Sequence, residues 1–214
     1  MKRLGWPACT ACVLLISLAA CSRSASRVPL ISAEANAKAT TLVTIGGSAT
    51  EGDGVPDRYR QAWPYLLFHE AFALSTSLVN AALDGATVAN APAEQVPVAR
   101  EVKPDVVAVW LGADDLAGHT PVGQFAAGLR TVIEDLRAAG VHRILVADLP
   151  SAYGNVSPYD AAIRDVVRST KTTLVDIQDA AITLAPGDRF AAQPDVASQQ
   201  VIAAAFEQAL HATP

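Results

Sequence analysis

Five short, β-branched apolar runs, separated by longer amphipathic stretches, constrain the fold of this chain more than any other feature. The runs are "TLVTIG", "SLVNAAL", "DVVAVWLG", "HRILVADLP" and "TTLVDIQ", beginning at Thr41, Ser77, Asp105, His142 and Thr172. They are nearly continuous in hydrophobicity, as strands covered on both faces must be. Between them, helices are predicted over about 59–74, 91–102, 122–139, 158–170 and 194–210. In "QFAAGLRTVIEDLRAAG" the apolar residues recur three and four apart, and Gly140 supplies a C-cap signal. Alternation of strand and helix implies a parallel sheet with right-handed crossovers, layered between helices. Of the residues 51% are hydrophobic but only 6% aromatic, which suits Ala/Val/Leu-rich helices on buried strands better than an all-β sandwich. One domain is expected over 41–214, with no repeat and no second domain.

The first twenty residues have a different character. Lys2 and Arg3 precede "ACVLLISLAA", an apolar stretch too short to span a bilayer comfortably and closed by small residues. This reads as a leader over 1–20. Leu18-Ala19-Ala20-Cys21 resembles a bacterial lipobox, in which the cysteine carries lipid and becomes the mature N-terminus; the alternative is an ordinary secretory signal with an incidental cysteine. Residues 21–40 then form a polar tether of small residues. The expectation is a protein of the cell envelope, held to a membrane by lipid and facing the extracytoplasmic side. Cys9 and Cys12 would leave with the leader, so a Cys-x-x-Cys redox function is not expected. Loss of Lys2 and Arg3 would take the formal charge from −5 to −7, since two positive charges leave. That acidity argues against a nucleic-acid partner.

In parallel sheets, chemistry gathers at the carboxyl ends of the strands. Three polar, glycine-bearing loops fall there: "GGSAT", "NAALDGATVAN" and "LGADDLAGHT". A nucleophile elbow G-x-S-x-G would need glycine where Thr50 stands. There is no phosphate loop, and Gly46-Gly47-Ser48 does not fit a dinucleotide fingerprint. His69, His119, His142 and His211 are scattered, and Asp114-Asp115 is a weak cation signal, so no metal and no cofactor are expected.

Four ordered fragments remain. They are Gly46-Gly47-Ser48-Ala49-Thr50-Glu51-Gly52, Asn80 with Gly85, Gly112-Ala113-Asp114-Asp115-Leu116, and "FAAQPDVASQQVIAAAF" containing Gln193. Together they resemble the blocks of the SGNH, or GDSL-type, hydrolase family, in order and spacing from Thr41 to Leu210. The resemblance implies a flavodoxin-like three-layer α/β/α sandwich with a central, mostly parallel five-stranded sheet. It also implies Ser48 as the nucleophile toward an acyl carbonyl, with an oxyanion hole drawn from Ser48, Gly85 and position 114.

The departures fall on the chemistry. Gln193 stands where the family has its histidine, and an amide is not a base near neutral pH. Loss of a triad base costs on the order of 10⁴–10⁶ in turnover. Asp114 stands where the family has an asparagine donor; ionised, it only accepts hydrogen bonds. Losing one oxyanion donor costs roughly 10²–10³ in rate. The family's aspartate three residues before the histidine is Phe190 here, and a shift of register onto Asp188 would put Ala191 at the histidine position. His119, in the loop after the third strand, is the alternative base.

Two functions are therefore carried forward. One is a lipid-anchored serine ester hydrolase acting on a small acyl ester or acylated glycan, with weak or absent turnover. The other is a non-catalytic lipoprotein of the same fold that binds a glycan, an acyl ligand or an envelope protein.

Overall fold

A computed structural model describes residues 40–185 and 192–212; Cys21, Asp188, Phe190 and Ala191 lie outside the described residues. The elements run in this order: β1 (Thr41–Gly46), α1 (Ser48–Glu51), α2 (Arg58–Gln61), α3 (Trp63–Ala71), β2 (Ser77–Asn80), α4 (Ala91–Glu94), α5 (Val96–Val102) and β3 (Val106–Trp110). The second half contains α6 (Ala113–Ala117), α7 (Val122–Ala138), β4 (Arg143–Ala147), α8 (Ser157–Thr170), β5 (Thr173–Val175), β6 (Leu184–Ala185), β7 (Gln193–Pro194) and α9 (Val196–His211). The five apolar runs become β1 to β5, ordered β2-β1-β3-β4-β5. Every pair is parallel. A separate antiparallel pair joins β6 to β7.

Two predicted helices are divided, and proline is the reason. A helix through 59–74 would need an N–H at Pro64 to bond the Arg60 carbonyl; proline has none, and its ring collides with that carbonyl. Ala62 is accordingly extended (φ −75°, ψ 142°), and α3 starts afresh with Pro64 in its first turn. Pro97 has the same effect between α4 and α5, where it sits in the first turn of α5. α7 runs as its periodicity predicts. Past its end Gly140 takes φ +88°, and Val141 N–H reaches back to the Leu136 carbonyl at 3.1 Å.

β3 is buried along its whole length, and β1 from Leu42 onward, as expected of strands covered on both faces. On one face α3 and α9 pack together, with Trp63 stacked on Phe206 at 4.2 Å and 5°. On the other, α7 packs against α8, burying Phe125, Leu129, Ile133, Ile163 and Val166. Burial of each such side chain contributes about 1.5–3 kcal/mol.

Sheet order reverses between β1 and β3, and the crevice at such a switch point is where ligands enter. Register brings Gly46 beside Trp110 at the last rung. The turn leaving β1 is deeply buried, so its backbone polar groups need internal partners. Three side-chain amides provide them. Gln95 grips Gly46 at both ends, accepting from its N–H at 2.9 Å and donating to its carbonyl at 3.1 Å. Asn80 donates to the Thr50 carbonyl at 2.8 Å, and Gln199 to the Ala49 carbonyl at 3.2 Å.

Replacing Gln95 by alanine strands the Gly46 N–H in a dry environment, at roughly 1–3 kcal/mol, while the Gly46 carbonyl keeps the Leu83 N–H at 3.1 Å. Urea denaturation of Gln95→Ala is expected to show a loss of about 1–3 kcal/mol; no measurable loss would contradict the clamp.

Candidate active site

Ser48 opens α1 directly below that clamp. It is only 4% exposed, so its hydroxyl is reached through a cleft rather than from open surface. The cleft, of about 170 Å³, is lined by Ser48, Trp110, Asp114, Leu116, Tyr153 and Gln193 among others. Three residues singled out in the sequence therefore meet in one place, although they are separated by 66 and 79 positions. Ser48 comes from the β1 edge, Asp114 from α6 after β3, and Gln193 from β7.

Asp114 presses against the turn that carries Ser48. A Cβ added to Gly47 would stand 2.6 Å from Asp114 Oδ2, so any larger residue there would have to displace this carboxylate. Burial first, then the charge of Asp84, then that of Asp115, push the Asp114 carboxyl up to about 6. Its neighbour Asp115 is fully buried and turns away, accepting from Val88 N–H at 3.1 Å. Gln193 is 9% exposed and pairs with Ala185 in the short β6–β7 ladder. The chain then enters α9, capped by Asp195, whose Oδ1 accepts from Ser198 N–H at 2.8 Å.

Gly85 is not among the residues that line the cleft. Its position is exposed, nothing stands within 4 Å of an added Cβ, and φ is +72°. A left-handed backbone of this kind favours glycine. His119 is also exposed, in a left-handed turn (φ 55°) beyond α6, and no described residue lining the cleft is a histidine. His69, His142 and His211 are exposed as well. Among the described residues no cluster of His, Cys, Asp or Glu is arranged to hold a metal ion.

Two participants were not singled out in the sequence. Asp84, the residue before Gly85, accepts a short hydrogen bond from the Ser48 hydroxyl at its Oδ1. Tyr153, in the turn after β4, stacks on Trp110 and lines the cleft with a buried hydroxyl that has no partner among the described residues. Burial, and then the charge of Asp114, raise the Tyr153 pKa, so this group remains a donor. Asp84 lay in a loop already marked as polar and carried a carboxylate beside the expected oxyanion glycine. Tyr153 left no comparable signal.

The family model described as "GDSL-like Lipase/Acylhydrolase family" matches residues 44–213. The chain belongs to this SGNH/GDSL hydrolase family. Thioesterase 1/protease 1/lysophospholipase L1 of Escherichia coli K12 is 34% identical over 124 residues, which are 55% of this chain and 56% of that protein. The match thus spans about half the length of that curated relative. A solved structure of TesA aligns at TM-score 0.65 and 25% identity, over 80% of this chain and 98% of that one. A Clostridium thermocellum family 3 carbohydrate esterase shares the fold at TM-score 0.68 and 18% identity, over 80% of this chain and 94% of that one.

Proposed function

We propose that this chain is an envelope ester hydrolase in which Ser48 accepts the acyl group, and that its turnover at neutral pH is weak. The observation that carries this reading is the buried Ser48 hydroxyl at the switch-point cleft, next to Asp114 and Gln193. A serine in the first turn of a helix also presents a backbone N–H that makes no intrahelical bond, suited to a carbonyl turning into an oxyanion. The unpartnered Tyr153 hydroxyl lines the same space and is a second donor. The cleft's volume and its walls of alanine, leucine and tryptophan suit a short acyl chain. The E. coli relative's printed name, with its thioesterase and lysophospholipase, supports acyl (thio)ester chemistry.

Weak turnover follows from Gln193, which can position a substrate through its amide but cannot take a proton. That same substitution favours the second reading, a cleft that binds an acyl ligand or acylated glycan without cleaving it. The N-terminal leader and Cys21 support a lipid anchor in the envelope, where acyl esters and acetylated glycans are within reach of a tethered domain.

Short-chain nitrophenyl esters distinguish the two readings. The wild type is expected to turn over slowly at pH 7, Ser48→Ala not at all, and the double variant Asp114→Asn/Gln193→His faster than wild type by at least about 10²-fold. Wild-type hydrolysis indistinguishable from Ser48→Ala at every pH would leave only the binding reading. For the anchor, Cys21→Ser is expected to move the protein from the membrane fraction to the soluble fraction; unchanged membrane retention would refute lipidation at this residue.

A further inference from the structure

The nucleophile in this cleft has lost its histidine but is not without a basic partner. Asp84 reaches Ser48 from the loop after β2, and the serine hydroxyl donates to Asp84 Oδ1. This is the relation a general base must have to the proton it removes. No other described carboxylate or imidazole has a hydrogen bond to that hydroxyl. We propose that Asp84 is the general base for Ser48, a catalytic carboxylate in place of the family's histidine. The inference rests on the ester-hydrolase reading above and deepens it.

The proton traffic closes. Ser48 Oγ bonds to the acyl carbon as its proton passes to Asp84 Oδ1; the tetrahedral centre collapses, the C–O bond to the alcohol breaks, and Asp84 returns the proton to the departing oxygen. Water then adds to the acyl-serine, giving its proton to Asp84. The carboxylic acid leaves, and Ser48 Oγ takes the proton back. The net change is one ester and one water converted to one acid and one alcohol, with Asp84 again a carboxylate.

The surroundings give this arrangement a pH dependence. Asp114 is faced by Asp84 from the β2–α4 loop, by Asp115 on its own helix and by Tyr153 from the turn after β4. Asp84 also borders a polar cleft with Glu51, Asp53, Asp57, Arg58 and Tyr59, in which Arg58 is paired to Glu51 at 3.0 Å. Burial first, and then the charge of Asp84, push the Asp114 carboxyl up to about 6. Protonated, Asp114 donates as the family's asparagine would; ionised, it repels the oxyanion. The productive state has Asp114 protonated. Activity is therefore present on the acid side of about 6 and declines as pH rises through that value. A histidine base would give the opposite limb.

The test is a pH–rate profile of nitrophenyl acetate hydrolysis by wild type, Ser48→Ala, Asp84→Asn and Asp84→Ala, with folding checked by circular dichroism. Wild type is expected to be fastest in mild acid and to slow through pH 6 to 8. Asp84→Asn, which preserves shape and a polar contact, is expected to lose about 10²-fold or more. Added formate, an exogenous carboxylate, is expected to restore part of the rate to Asp84→Ala. Ser48-dependent hydrolysis that is as fast in Asp84→Asn, that climbs through pH 7, or that formate cannot restore in Asp84→Ala removes Asp84 as base and leaves the hydrolase reading standing. Absence of any Ser48-dependent rate in the wild type removes both.

Discussion

The site depends on one constraint: the turn from β1 into α1 is buried, and its backbone must be satisfied from within. Gln95, Asn80 and Gln199 meet that demand from three separate elements, closing on Gly46, Thr50 and Ala49. Each amide both donates and accepts, so one side chain can hold a backbone group and be held itself. Gln199 also accepts from Trp63 N–H at 2.9 Å, and Asn80 accepts from Thr44 at 2.8 Å. The turn is thereby tied to α3, α9 and the sheet before any ligand arrives. That rigidity fixes Ser48 where the strand order reverses, and it requires no charge, so the charges nearby remain available for chemistry.

Those charges are carboxylates. Members of a serine hydrolase family need a proton acceptor near the nucleophile and donors near the nascent oxyanion. Here a serine hydrogen-bonded to one aspartate, Asp84, lines the cleft beside a second, Asp114. Gln193, a third residue of the cleft lining, is polar but not basic. Burial first, and then the charge of Asp84, raise the Asp114 carboxyl to about 6, so a group that is an acceptor when ionised becomes a donor in mild acid.

Much of this was legible in the sequence because it depends on local chemistry. Five β-branched runs mark five strands, and the closing glycine of α7 marks its end. The block spacing brings Ser48, Asp114 and Gln193 to one cleft from three elements. Helices α2–α3 and α4–α5 were read as continuous although Pro64 and Pro97 already indicated breaks; the apolar periodicity on either side obscured them. Gly85, expected for close approach, also has a left-handed backbone angle (φ +72°). Gln95, Gln199, Asp84 and Tyr153 act through partners 36 to 150 positions away where a bond is formed, or through burial alone, and neither is encoded in a residue's neighbours.

The central claim is that Ser48 remains a nucleophile in a cleft without histidine. Treatment of the intact protein with a fluorophosphonate at pH 5, followed by peptide mass spectrometry, tests it most directly. One adduct per chain, on the peptide and residue of Ser48, is the predicted result. An unmodified Ser48 after prolonged exposure, or an adduct on another residue, would contradict the account.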